Sequence, residues 1–309
     1  MTEESRAITL GLGDVSDRPE LGVYYIDMRP ARVHYSPNIW GGGFDDQGVP
    51  TIATPEGPVY FPVNIAQYGF ILHADWLTSR DNRVLATLNS CVLALNRLAT
   101  ETPTGLVWLH KFRNAKYEID PPWASSMAQG EAISLYLRMF QATGDETLMV
   151  RAREAARFLS VDVEDGGVRR FDESGDLWFE EYPSPQPSFV LNGFIYTMFG
   201  LWDLWRVTRD GLIRSEFDKC VGTLERNLHK YDAGYWSVYD QLKGELVRYY
   251  YQKNVHVPQM AVLHQLTGLE IFEEYRARWA RQITPLNFLR VQIMYRVRPR
   301  LGRLKARLS

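Results

Sequence analysis

Apolar and polar residues alternate at helical spacing in paired segments along this chain, and the pairs recur. WLTSRDNRVLATLNSCVLAL, FQATGDETLMVRAREAARFL, WRVTRDGLIRSEFDKCVGTL and HQLTGLEIFEEYRARWARQI align on Thr78, Thr143, Thr208 and Thr267, spaced by 65, 65 and 59 residues. A fixed period of that size marks a repeated supersecondary unit. Each unit reads as helix, tight turn, helix. In the second copy Leu148, Met149, Ala152, Ala155, Ala156 and Leu159 share one stripe, with Asp145 or Thr143 placed to cap it. The first helix of each pair is apolar nearly all round, as in IYTMFGLWDLW, and is expected to be buried. The second carries more charge and is expected outside.

Between the pairs lie β-like segments over 105–119, 166–181 and 234–251, with hairpin turns predicted at Asp172 to Gly175 and at Lys243-Gly244. In a ring of helical hairpins these inserts emerge at the end opposite the threonine turns. The expected fold is therefore mainly α: an α/α toroid of about four helical hairpins, with β-hairpin inserts lining a cleft and a small N-terminal β region. Residues 1–62 form a β-like flank containing YYIDM (24–28) and the loop WGGGFDDQG (40–48), which lacks the Gly-Lys and following helix of a phosphate loop. Residues 63–283 form the toroid and 284–309 a basic tail.

Composition narrows the function classes. Of 309 residues 45% are hydrophobic and 23% charged, the pattern of a globular chain, and the net charge of −2 gives no reason to expect nucleic acid. Seventeen Tyr and nine Trp suit the apolar faces of sugar rings as well as cores. Two cysteines, Cys91 and Cys220, make no disulfide framework. The start, MTEESRAITLGLGD, has no basic stretch leading into an apolar one, and no apolar run reaches the length of a membrane span. A cytoplasmic location is expected. The tail 284–309 carries six Arg, one Lys and no acid, with Leu289, Ile293 and Val297 at helical spacing. Peripheral contact with the inner face of the membrane or with an anionic polymer stands level with a packing arm or dimer contact.

The segment WFEEYPSPQPSFVLNGF places Glu180, Glu181 and Tyr182 before Pro183, Pro185 and Pro187, so the carboxylates sit on backbone with little freedom. That suits proton transfer, which needs a base within hydrogen-bond reach. Adjacent strand residues point to opposite faces, so one carboxylate at most is expected to face the cleft; the plainer reading leaves both in water. Tyr239 and Tyr249 to Tyr251 follow, with Arg248 beside them. A nearby guanidinium lowers a phenol's pKa toward a usable base, although packing alone accounts for most aromatic strands. His256 and His264, eight apart, lack a third ligand for a metal. No cofactor or metal is expected.

FPVNIAQYGF (61–70), WASSMAQGEAIS (123–134), EEYPSPQPSFVLNGF (180–194) and the pair SVYDQL/RYYYQ (237–252) resemble, in the same order over roughly residues 48 to 280, the D-glucuronyl C5-epimerases that act on heparosan-type polysaccharides. The resemblance implies an α/α-toroid catalytic domain that inverts C5 of D-glucuronate to L-iduronate within the polymer. Removing the C5 proton builds an enolate-like dianion, so two proton-transfer groups and a cation are needed. Carried over by position, the catalytic Glu-Tyr pair falls on Glu181 and Tyr182, and further tyrosines on Tyr239 and Tyr251. Arg248 falls on the carboxylate-binding position, while His256 and Gln259 match if one residue is inserted after Tyr251. Gln67, Tyr68, Gln129 and Asn192 are matched polar positions expected to bind sugar hydroxyls. The animal enzymes have a membrane anchor and a β-sandwich between the IAQYG segment and the helical part. Only 57 residues separate IAQYG from MAQG here, so the chain resembles a compact microbial form whose N-terminal flank is expected to supply one cleft wall.

The same C5 proton abstraction followed by β-elimination would make a polysaccharide lyase. A glycoside hydrolase would need two flanking carboxylates, for which Asp172, Glu173, Glu180 and Glu181 are available, but leaves the tyrosines unused. A binding module would use cleft and tail without chemistry. A homodimer is expected only by analogy.

Overall fold

The computed structural model of the chain describes residues 8–35, 42–54 and 57–295. The start of the N-terminal reading (1–7), part of the Gly-rich loop (40–41) and the tail beyond 295 lie outside them. The described chain is mainly helical with small sheets.

Four helical hairpins follow one another: α1 (Pro62–Ser79) with α2 (Asn82–Leu98), α3 (Ser126–Thr143) with α4 (Glu146–Phe158), α5 (Leu191–Thr208) with α6 (Gly211–Asn227), and α7 with α8 (Glu270–Gln282). Helix α7 is continuous over 249–267: helical Tyr249–Tyr251, a π-turn Gln252–His256, then Val257–Thr267. At each hairpin turn one residue takes a left-handed conformation, Arg80, Gly144, Arg209 and Gly268 in turn. The residue before it does two jobs in three of the copies. The hydroxyls of Thr143, Thr208 and Thr267 donate to the carbonyl four residues back (2.8, 2.7 and 2.7 Å) and accept from the N–H two residues on (3.3, 3.3 and 3.2 Å). In the first copy these jobs are split, with Thr78 donating to Ala74 and Ser79 accepting from Asp81. The structural register of that copy is therefore Ser79, one residue later than the threonine alignment. Asp81, Asp145 and Asp210 then cap the second helices by accepting from the N–H two residues on, which satisfies amides that a helix start leaves unpaired.

The first helices are the buried ones, as their all-round apolar pattern requires. Helices α3 and α5 approach closely because Gly130 faces Thr197 and Gly200 faces Gly130. A methyl group on either glycine would stand 2.5 Å from the other helix's backbone. Helix α1 packs beside α3, and each second helix packs outside its partner.

Each insert connects the end of one hairpin to the start of the next first helix. The first is the sheet β6 (Ala99–Thr102), β7 (Gly105–His110) and β8 (Trp123–Ala124). The second is the hairpin β9 (Arg169–Phe171) and β10 (Leu177–Phe179), turning at Asp172 to Gly175 as predicted. The third departs from the sequence reading. It has only isolated bridges, Asp232 to Ser237 and Val238 to Leu246, and Tyr249–Tyr251 are helical. Arg248 is extended and α7 begins directly after it, so tertiary packing overrides the strand preference of three tyrosines.

The N-terminal flank holds two short sheets, β1 (Gly11–Leu12) with β2 (Ile26–Asp27), and β3 (Gly42–Phe44), β4 (Pro50–Thr54) and β5 (Gly57–Val59). Residues 8–27 lace across the hairpins. Leu10 N–H donates to Asn254 on α7 (2.9 Å), Arg206 on α5 donates to the Arg18 carbonyl and Asp14, and Leu21 N–H donates to Gln141 on α3 (2.8 Å). Beneath the lacing, Asp203 is fully buried and accepts from Tyr25 (2.7 Å) and Arg138 (2.5 Å). Among the described residues no helix is long and apolar enough to cross a membrane. Both cysteines are buried and unpaired with one another.

Candidate active site

Strand β10 ends where two first helices begin. Ser126 N–H, at the start of α3, donates to the Glu180 carbonyl (3.1 Å), and Leu191 N–H, at the start of α5, donates to the Tyr239 carbonyl (3.1 Å). The second and third inserts are thereby fixed to helix N-termini, where the backbone dipoles favour negative charge.

Glu180 and Glu181 do face opposite ways, yet neither meets water as a lip residue would. Glu180 is fully buried and accepts from Ser188 N–H (3.0 Å), Ser188 Oγ (2.6 Å) and Phe189 N–H (3.0 Å). It fastens the proline-rich loop and holds Phe189 in its left-handed conformation, φ 43°. Glu181 turns toward the tyrosines. Its Oε1 accepts from the Tyr239 hydroxyl (3.3 Å), and its Oε2 has no hydrogen-bond partner among the described residues. Room for it exists only because residue 193 is glycine, since a methyl there would stand 2.3 Å from Oε2.

Tyr239 meets Tyr251 edge-on with ring centres 5.9 Å apart, and Tyr182 stacks on Tyr117 at 4.4 Å. Tyr117 in turn donates to the buried Asp240 (2.9 Å). Lys116 reaches Glu245 (3.0 Å) and sits 5.0 and 5.2 Å from the ring centres of Tyr117 and Tyr239. The first insert thus closes over the other two.

Burial sets the protonation states. It pushes Glu181 up to about 7, against the pull of the Tyr182 and Tyr239 hydroxyls and of Lys116. Burial, then the charge of Glu181, raise Tyr182 and Tyr239 well above the usual phenol value. Tyr251 is raised likewise, and Arg248 is the weakest of the influences on it. Arg248 does not bring the Tyr251 phenol down into the range of a base; burial keeps the tyrosines protonated and brings two carboxyls, Glu181 and the Ser188-bound Glu180, up to about 7.

Beside this cluster is a cavity of about 460 Å³, a volume suited to a small ligand or a piece of a larger one. Arg248, Tyr251, Tyr250, Tyr196, Asn192 and Gln67 form its helical side, and residues of the N-terminal flank, including His34, Tyr35 and Thr51, form the other. The flank does supply a wall. Cavity and cluster meet at Tyr251, which lines the one and touches Tyr239 of the other.

The remaining matched positions separate. Gln67 lines the cavity and donates to Glu131 (2.9 Å). Tyr68 packs between Tyr35 and Phe44. Gln129 spends its amide on backbone, donating to the Leu106 and Ala155 carbonyls and accepting from Trp108 N–H, so it ties β7 and α4 to α3 and has no amide group turned to the cavity. His256 is buried against Trp279 and Ser237, with its pKa driven down to about 3 by burial. Gln259 donates to the Asn192 carbonyl. These two support Asn192 and α7 from behind. The one-residue insertion expected between Tyr251 and His256 falls on the π-turn, which is how a helix absorbs an extra residue.

Glu131 was not singled out from sequence. It is fully buried behind Gln67, and burial holds its carboxyl well above the usual carboxylate range. An acid inside SMAQGEAISLYL, a helix otherwise fit for a core, was the available signal. Lys116 and Tyr117 carried no comparable signal. No group of three or more His, Cys, Asp or Glu is arranged to hold a metal among the described residues.

Comparison with known proteins agrees with the motifs. An uncharacterized protein of Methanocaldococcus jannaschii is 31% identical over 179 residues, 57% of this chain and 58% of that protein. A D-glucuronyl C5-epimerase of Caenorhabditis elegans is 36% identical over 137 residues, 40% of this chain and 22% of that protein. The chain therefore spans less than two thirds of either relative. The solved structure of a cellobiose 2-epimerase from Spirochaeta thermophila aligns over 74% of this chain and 59% of its own at 14% identity, with a TM-score of 0.48, too slight a likeness to bear on function. The sequence model of the D-glucuronyl C5-epimerase C-terminus matches residues 104–281. That span covers more than half of the chain and contains Glu181, Tyr182, Tyr239, Arg248 and Tyr251, so the chain belongs to the D-glucuronyl C5-epimerase C-terminus family.

Proposed function

We propose that this protein inverts C5 of D-glucuronate residues in a heparosan-like polysaccharide, giving L-iduronate, and that its four hairpins form an α/α toroid around the site. The observation that carries the reading is Glu181, whose carboxyl accepts from Tyr239, joined through the Tyr239–Tyr251 ring contact to a cavity lined by Tyr251 and Arg248.

In this reading the uronate carboxylate lies against Arg248. Its C5–H is acidic only as far as the developing enolate charge is stabilised, and a fixed cation supplies that stabilisation without reorganising. Glu181 takes the C5 proton from one face, with Tyr182 and Tyr239 steadying its carboxylate. Tyr251 gives its hydroxyl proton to the opposite face. The site is then left with a protonated Glu181 and a Tyr251 phenolate, and Tyr239, between the two, returns the proton. The reverse reaction uses the same groups with roles exchanged. Asn192 and Gln67 meet sugar hydroxyls. The polymer, without need of a cofactor, is the partner, and a cytoplasmic location is part of the proposal.

The test is incubation with heparosan in D₂O followed by proton NMR. Deuterium at C5 together with iduronate signals is expected. An unsaturated uronate would mean elimination by a lyase, and binding without exchange at C5 would mean a binding module; either overturns the proposal.

A further inference from the structure

The face of α1 that lines the cavity does not stop where the cavity does. Asn64, Gln67 and Ile71 line it from α1, and Phe61, the residue that caps α1 three positions before Asn64, continues that face outward. The partly exposed Phe61 ring meets Phe112 at 6.0 Å and the buried His110 at 4.9 Å. Phe112 in turn meets Trp123 edge-on at 5.5 Å, and Trp123 meets Tyr182 at 5.9 Å. The Phe112 backbone is fixed as well, because the Trp123 indole donates to its carbonyl (2.8 Å). Ring contacts thus join Phe112 to the cavity face on one side and to the proton-transfer cluster on the other. Even so, Phe112 is 46% exposed. Lys111 and Arg113 are exposed on either side of it in the chain, with Arg113 3.2 Å from Asp120.

We propose that Phe61 and Phe112 form a subsite for a sugar residue of the polymer lying just outside the cavity, its apolar C–H face laid on the Phe112 ring. This rests on the proposed function and adds a second place where the polymer is held. A side chain left half exposed on a buried support has its position settled before a ligand arrives, so little ordering is lost on binding. A pyranose matches such a surface, since its ring C–H groups cover the aromatic face while its hydroxyls stay in water. Continuity selects this occupant. A segment of another protein would also cover Phe112, but the contacts run inward to Tyr182 and to α1, where the proposed function already places the polymer. Lys111 and Arg113 add positive charge at this rim for the polymer's carboxylates, partly answered by Asp120.

The experiment is calorimetric titration of the full chain with a heparosan octasaccharide and with a disaccharide, which is short enough for a cavity of about 460 Å³. The octasaccharide is expected to bind more tightly. Phe112→Ala should weaken octasaccharide binding by roughly three- to tenfold, leave disaccharide binding as it was and keep its circular dichroism spectrum, while Phe112→Tyr should restore the loss. Phe171→Ala removes a ring that is 54% exposed but outside these contacts, and should bind both sugars as the wild type does. Undiminished octasaccharide binding in Phe112→Ala overturns the proposal. So does an equal loss for both sugars, or a variant whose only change is in self-association. A length-dependent gain that Phe112→Ala removes, in a protein that exchanges no deuterium at C5, upholds the subsite and fails the proposed reaction. Wild-type protein that binds neither sugar fails both.

Discussion

Glu181 is held where ionisation is costly, although the proposed reaction needs it ionised. Its carboxyl is raised from an ordinary 4.5 to about 7 by burial, so the folded state binds its proton more tightly than the unfolded chain does. The stability this gives is fully present below pH 4.5 and is lost as pH rises through 7. Glu181→Gln mimics the protonated acid. It should therefore melt like the wild type near pH 4.5 and be more stable at pH 8, by up to about 3 kcal/mol, while C5 exchange falls by roughly 10²–10⁴-fold. Thermal melts at the two pH values with an exchange assay check both halves. Wild-type exchange should rise with pH through about 7 as the carboxylate forms, a limb absent from the residual activity of the variant. Gly193→Ala should be as damaging as loss of Glu181 itself, because its methyl would occupy the carboxylate's place; full activity in that variant would contradict the geometry. Glu181, Tyr182, Tyr239 and Tyr251, the proposed proton-transfer groups, were legible because each stands in a distinctive motif. Gln129 was misread because a polar side chain at a helix start serves equally well to satisfy neighbouring backbone, and sequence does not say which.

At the scale of elements, the repeat was legible because a turn needs particular residues in fixed order. Its capping aspartates give a direct test. Asp145→Ala and Asp210→Ala should each cost about 1 kcal/mol, and the costs should nearly add if the sites are independent, as measured by denaturant unfolding. The third insert was less legible, since three consecutive tyrosines suit a strand and only the packing around Trp236 makes them helical. The π-turn was visible only as an awkward count between Tyr251 and His256. It makes the site depend on length as well as identity. Deleting one residue from 252–256 would restore a regular helix and turn Tyr251 by roughly 100° relative to His256. Such a variant should keep its helicity by circular dichroism and lose C5 exchange.

Across the whole molecule, the N-terminal flank is bound into the helices. Nothing local announces this, because the partners are far apart in the chain: Tyr25 with Asp203 and Leu10 with Asn254. Asp203→Ala would leave Arg138 buried without its partner and should cost about 3–5 kcal/mol, seen as a lower denaturant midpoint, with the flank becoming open to protease. The lacing also orders events during synthesis. Residues 8–27 leave the ribosome before the helices they join, and Asn254 follows Leu10 by 244 residues, on the order of tens of seconds later at ordinary elongation rates. The flank must stay available until the fourth hairpin is made, so this packing step waits on translation.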